Sequence, residues 1–550
     1  MPIAIDAPTL KAWLSDGREI ALFDVREHGQ YGTGHPFFSV PLPYSRFEIE
    51  LPKLAPNAAV RVALCDDGDG VAGRAAARAA ALGYRNVFVL AGGAMAWGQA
   101  GYTLYAGVNV PSKVFGELVE HRRHTPRVSA QDIVSMRAAE EDFVIVDGRP
   151  FAEYRKMNIP GGICCPNGEL ALRIRDIAPD PNTKIVVNCA GRTRSIIGAQ
   201  TLIDLGIPHP VFALENGTQG WFLAGLELEH GAGRRYADAV GNADLAALRS
   251  HASEFAAACG AAFVAPATAH AWLSDSSRTT YLFDVRTAEE FAASGLPGFV
   301  HAPGGQLVQA TDQWVGVRGA RIVLFDREQV RAPVIAGWLR QLGHEACLLD
   351  DATAAAALDW RRAAGTFEPP ALRPISVHET AAGLRTGTLE VIDLRASMAY
   401  RKGHMVGARW TTRPRLAAGL VRAGTVAIVA DEPALTALAA IDLAEAGSND
   451  VRVIAGGYQA WCDAGLPIEV SADRPADSDC IDFLFFTHGR HDGDAAAARQ
   501  YLAWETGLLD QLDAQERGVF RCVPANFGGI GRDSGDADPN VAADRLPTQV

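Results

Sequence analysis

The residues best placed to do chemistry lie in one short run, Asn188-Cys189-Ala190-Gly191-Arg192-Thr193-Arg194-Ser195. An apolar stretch, Ile185-Val186-Val187, leads into it, and a helix-like segment from Ile196 to Leu205 follows. A strand that delivers a cysteine into a tight loop ending at a helix start stabilises a thiolate. Successive backbone N–H groups face whatever sits above the sulfur, and the helix N-terminus adds partial positive charge. Arg192 and Arg194 add full charges. A free thiol ionises near pKa ~8.5, and such surroundings lower that by about one to several units. Cys189 therefore reads as a nucleophile. The alternative, a cysteine that only fills space in a core, does not account for the cationic Gly/Thr/Ser loop beside it.

The elements that must position this loop occur four times. In each copy an apolar strand ends in Asp-x-Arg, and a second strand, a helix and a closing tryptophan follow. The strand ends are Asp24-Val25-Arg26, Asp147-Gly148-Arg149, Asp284-Val285-Arg286 and Asp393-Leu394-Arg395; the tryptophans are Trp97, Trp221, Trp360 and Trp461. The Asp-to-Trp intervals are 73, 74, 76 and 68 residues, too alike to be accidental. Such repetition sets the domain count before any other argument. Asp147 and Arg149 read as scaffold for the loop, and the tryptophans as packing residues.

On these residues, together with Gly92-Gly93, Gly217 and Gly456-Gly457 ahead of three of the tryptophans, the chain resembles the rhodanese-like (sulfurtransferase) family. The resemblance covers four tandem copies over residues 5–470 and is most specific in the second. It implies compact α/β domains, each a parallel sheet flanked by helices, and a loop cysteine that becomes a persulfide. The expected domains are 1–105, 126–230, 262–365 and 375–470, with a small helical C-terminal segment within 471–550. On this reading the Cys189 thiolate takes the outer sulfur of thiosulfate or a similar small anionic donor. A thiol or cyanide acceptor, which can itself be a protein, then removes it. Residues 190–195 bind the donor, with Arg192 and Arg194 holding the anion and steadying the leaving group. The C-x4-R spacing disfavours a Cys-dependent phosphatase or arsenate reductase, whose loop in the same fold is one residue longer. A sulfur-relay or scaffold protein that binds a partner through inert copies is the remaining alternative.

The copies differ where the second has Cys189. Cys65 lies 41 residues after Asp24, and Asp326 lies 42 after Asp284, matching the 42 from Asp147 to Cys189. The fourth copy has Ala430-Asp431 after Val426–Val429. Cys65 precedes Asp66-Asp67-Gly68-Asp69, whose charge raises a thiol pKa and repels anions. One active copy and three inert ones are expected, with Asp326 and Ala430 at the Cys189 position and Asp326 held ionised by loop amides.

Composition bounds the rest. At 550 residues and 48% hydrophobic content there is material for several cores. No apolar run is long enough to span a bilayer, and Met1–Asp6 lacks the pattern of a signal peptide. Nine irregularly placed cysteines form no disulfide framework, so a reducing cytoplasm is expected. A net charge of −13 argues against nucleic-acid binding. No cofactor, metal or membrane partner is called for. The adjacent Cys164 and Cys165 read as structural, and His488, His491, Asp492 and Asp494 as a polar turn before a helix. Residues 106–126 and 230–265 read as helical connectors and 364–375 as a Pro-rich one; Ile481–Phe486 reads as a short strand, Asp494–Leu512 as a helix, and Gly528 onward as disordered.

Overall fold

The computed structural model describes residues 2–238, 245–350, 352–361, 367–419, 424–490 and 493–522. The expectation for Gly528 onward lies outside the described residues, as do His491 and Asp492. Four five-stranded sheets share one strand order. In the second copy the order is Arg127–Val128, Val211–Leu214, Lys184–Asn188, Phe143–Asp147, Ile163–Cys164, with every pairing parallel. Strands covered by helices on both faces read as continuous apolar runs. Ile185, Val186 and Val187 are accordingly all fully buried.

The Asp-x-Arg motif is a staple in every copy. Asp147 accepts from the Arg149 backbone N–H at 3.1 Å and from its Nε and Nη2 at 2.8 and 2.6 Å. Arg149 Nη2 also donates to the Met157 carbonyl at 2.6 Å, tying the strand end to the end of the next helix. Arg26, Arg286 and Arg395 repeat this with Gly34, Ser294 and Gly403. All four closing tryptophans are buried, and three donate their indole N–H to a carbonyl six residues on: Trp97 to Thr103, Trp221 to Glu227 and Trp461 to Pro467. Trp360 instead bonds back to Ala355.

Connectors bind the copies together. The helix Val110–Arg123 joins the first copy to the second and packs on the helix Thr193–Asp204, where Arg123 pairs with Asp204. The helix Leu245–Ala258 packs on Arg331–Gln341 of the third copy. The described residues within 471–522 turn back over the earlier copies. Glu516 accepts from Lys11 at 3.1 Å and Tyr105 at 2.5 Å, and Trp504 donates to the Ala106 carbonyl at 3.1 Å.

Two expectations are corrected here. Ile481–Phe486 is not a strand; it forms turns and the start of a 3-10 helix at Phe485–Thr487, and its Ile481 carbonyl accepts from Gln30 N–H at 3.2 Å, on the helix His28–Thr33 of the first copy, rather than from a strand. The helix expected over Asp494–Leu512 spans Ala495–Thr506, capped by the Asp494 side chain and ended at Gly507, with a separate 3-10 turn at Leu509–Gln511. Among the described residues no helix is long and apolar enough to cross a membrane.

Candidate active site

Cys189 follows directly on the strand Lys184–Asn188, and the helix Thr193–Asp204 begins four residues later. The loop between them is oriented by its carbonyls. Those of Cys189 and Ala190 accept from Thr218 N–H at 2.9 Å and Gln219 N–H at 3.1 Å, at the start of the helix Gly217–Leu223. That approach requires glycine at 217: its φ is +53°, and a β-carbon there would collide with the Cys189 carbonyl oxygen. With the carbonyls drawn outward, the N–H groups of residues 190–195 are left with no acceptor among the described residues. Asn188, braced against Asp147 at 2.8 Å, fixes the strand end. Cys189 itself is 2% exposed.

The loop side chains face away from this cradle. Ser195 donates to the Arg192 carbonyl at 2.7 Å, and Asn167 donates to the Arg194 carbonyl at 2.8 Å. Arg192 pairs with Glu117 at 2.7 and 2.8 Å and with Glu120, both on the connecting helix. Arg194 pairs with Glu153 at 2.9 and 2.8 Å and reaches Gln306 of the third copy at 3.3 Å. Burial opposes the charge of both guanidiniums. Their carboxylate partners outweigh it, assisted for Arg194 by the Cys189 sulfur, so both hold their protons more tightly than usual.

Several residues at the loop come from far along the chain. Glu505, on the helix Ala495–Thr506, accepts from Thr193 Oγ1 at 2.7 Å and Lys113 Nζ at 2.9 Å. Burial would push its carboxyl up; Lys113 and Thr193 overcome that and hold it below the usual range. Its Oε2 has no partner and lies toward Gly191, beside Tyr501 and the Gln219 amide, which is also unpartnered. No spacing in the sequence signals these residues: Thr193 and Glu505 are 312 positions apart.

Strand register places the other copies. Asp147 lies opposite Asn188, Asp24 opposite Cys65, Asp284 opposite Phe325 and Asp393 opposite Val429. Cys65 therefore corresponds to Asn188, and Asp66, not Cys65, stands at the Cys189 position. Burial, with Asp24 next, pushes the Cys65 thiol well up. Asp66 accepts from the N–H groups of Gly68, Gly70 and Ala72 at 2.8, 3.1 and 2.9 Å. Asp326 occupies the same place in the third copy, accepting from Val330 and Arg331 N–H at 3.2 and 3.1 Å. Burial pushes its carboxyl up to about 6, so it is a carboxylate at neutral pH but, unlike the permanently ionised group that the sequence suggests, takes up a proton in mild acid. Ala430 follows Val429 in the fourth copy. Two copies thus direct loop amides at a carboxylate where the second has a thiol.

Cys164 and Cys165 are buried, and burial pushes their thiols up, Cys164 to about 12. Asp494 is the helix cap, and His488 packs edge-on against Phe483.

A family model described as the rhodanese-like domain matches residues 6–100, 129–224, 265–355 and 376–464. The solved thiosulfate sulfurtransferase from Pseudomonas aeruginosa is 40% identical, with a TM-score of 0.86 over 95% of this chain and 100% of that one. A solved full-length protein from Lactobacillus plantarum is 27% identical, with a TM-score of 0.16 over 18% of this chain and 86% of that one. The HTH-type transcriptional regulator Rv0324 of Mycobacterium tuberculosis is 32% identical over 105 residues, 19% of this chain; the chain spans 45% of that regulator's length.

Proposed function

The chain belongs to the rhodanese-like (sulfurtransferase) family, and we propose that it moves sulfane sulfur from thiosulfate or a similar donor to a thiol or cyanide acceptor, through a persulfide on Cys189. The observation that carries this reading is the cradle of free N–H groups over residues 190–195. The equivalent amides of the first and third copies grip the Asp66 and Asp326 carboxylates. A loop that binds an anion in its inert copies, and carries a thiol in place of that anion in the second, suits an anionic sulfur species above Cys189.

The reaction is a two-stage displacement. The Cys189 thiolate attacks the outer sulfur of thiosulfate; the new S–S bond forms as the old one breaks, and sulfite leaves with the bonding pair. The amides of residues 190–195 hold the negative persulfide sulfur. An acceptor thiolate or cyanide then attacks that outer sulfur, giving a new persulfide or thiocyanate and restoring the Cys189 thiolate. In this scheme Arg194 supplies positive field at the sulfur while held by Glu153, and Arg192 anchors the loop to the connecting helix. Asp147 and Arg149 keep the strand end in place.

Mass spectrometry of the full chain after thiosulfate treatment tests the covalent step. Gain of one sulfur atom on the peptide containing Cys189, and its loss on adding cyanide, is expected. Sulfur on another cysteine, or on none, contradicts the assignment.

A further inference from the structure

Where the first and third copies meet the C-terminal segment there is a cavity of about 70 Å3, and none of its lining residues belongs to the Cys189 loop. Its walls are largely apolar, formed by Phe37, Phe38, Val315, Val317, Leu342 and Phe520. Arg318 and His344 also line it. The Arg318 guanidinium stacks over the Phe38 ring, 3.6 Å from its centroid, and its one side-chain hydrogen bond is a long 3.5 Å contact to the Leu14 carbonyl. No carboxylate among the described residues pairs with it. Arg278, in the same seam, pairs with both Glu19 and Glu345. Asp312, the one acidic residue on the wall, makes no ion pair with Arg318 or His344.

Burial pushes Arg318 down to about 10, and it lowers His344 to about 4 with help from the Arg318 charge. A half-buried guanidinium with no carboxylate paired to it is less favourable than a paired one, and an incoming anion relieves that cost. Apolar walls with a few charged groups at one corner are the usual form of a site for a small amphiphile. The volume holds roughly five water-sized groups.

The geometry points to a binding site for a small organic carboxylate, its headgroup against Arg318 and its apolar body among Phe37, Phe38 and Phe520. The site is separate from the chemistry proposed at Cys189, and its occupancy is readable without any turnover. It adjoins the catalytic copy all the same. Ser112 lines the cavity, and the next residue, Lys113, holds Glu505 against Thr193.

Butyrate is the probe, and the uncharged butyramide is its control, each titrated calorimetrically into the full chain. Saturable butyrate binding at least about tenfold tighter than that of butyramide is expected, the value of one charge-assisted contact. Arg318→Met keeps an apolar stem over Phe38 and should remove that preference. The butyrate–butyramide comparison on the unaltered chain stands even where the variant fails to fold. Equal binding of the two probes, no saturable butyrate binding, or full retention in Arg318→Met would each overturn the proposal. Binding of sulfate without butyrate would overturn the organic identity of the ligand.

Discussion

Cys189 owes its setting to carbonyls as much as to amides. Because the Cys189 and Ala190 carbonyls are drawn to Thr218 and Gln219, the loop N–H groups are free to face inward. In the proposed reaction Arg194 adds positive field at the sulfur while held by Glu153, and Arg194→Ala should lower kcat/KM for thiosulfate by on the order of 10²-fold through the loss of that field. A neutral persulfide donor should lose much less; equal losses would make Arg194 only a brace for the loop. Asp326 offers a test in pH. Its folded carboxyl titrates at about 6, above the ordinary value of about 3.9. The folded protein therefore binds the proton more tightly than the unfolded chain. The stability this contributes is complete below about pH 4 and is lost as pH rises through about 6. Asp326→Asn should raise the apparent melting temperature at pH 7.5 and leave it nearly unchanged at pH 4; an equal effect at both pH values would contradict the burial argument. At this scale Cys189 and its loop are legible in sequence, since strand, cysteine and helix are contiguous. The match of Cys65 to Asn188 is not, because an interval of 41 or 42 residues does not say which residue is the last in its strand.

At the scale of elements, a helix from outside the second copy closes over its loop. The helix Ala495–Thr506 brings Glu505 to Thr193 and Tyr501 to Gly191. The Glu505 charge opposes the anionic donor proposed above. Glu505→Gln, which keeps an acceptor for Thr193, should lower KM for thiosulfate by about threefold or more, the size of one screened charge contact. A raised KM would mean that the carboxylate serves to order the loop. The repeated Asp-x-Arg strand ends and closing tryptophans announce the sheets from sequence, because each is a local signal tied to one strand or helix. The cover over the loop is invisible there. It depends on how a segment three hundred residues away folds back, and no periodicity records that. Ile481–Phe486 shows the same limit: its β-prone residues form no strand because they pack on the helix His28–Thr33 of the first copy, four hundred and more positions away.

At the scale of the whole molecule, the other copies hold the second one in place. Gln306 of the third copy meets Arg194, and Arg331 of the same copy reaches Glu169 of the second at 3.1 Å. The first and fourth copies are joined by Arg413, which pairs with Glu48 at 2.6 and 2.7 Å where both side chains are buried. Arg413→Ala should destabilise the protein by about 2–4 kcal/mol, since it leaves the buried Glu48 with only a longer 3.4 Å contact from Arg78. Melting of the variant measures this, and turnover at 25 °C should be nearly unchanged; a melting temperature equal to that of the parent would contradict the seam's role. The fourfold count is legible in the sequence, but the way the copies dock is not, because the seams combine apolar residues contributed by several copies with isolated arginine–carboxylate pairs, and neither follows a pattern along the chain. The central claim is that one thiol among four similar loops carries all the sulfur. Thiosulfate:cyanide sulfur transfer by Cys189→Ser tests it most directly, with circular dichroism confirming an intact fold. The account predicts no transfer above the uncatalysed rate, because a serine hydroxyl cannot form the persulfide, and measurable turnover in that variant would contradict it.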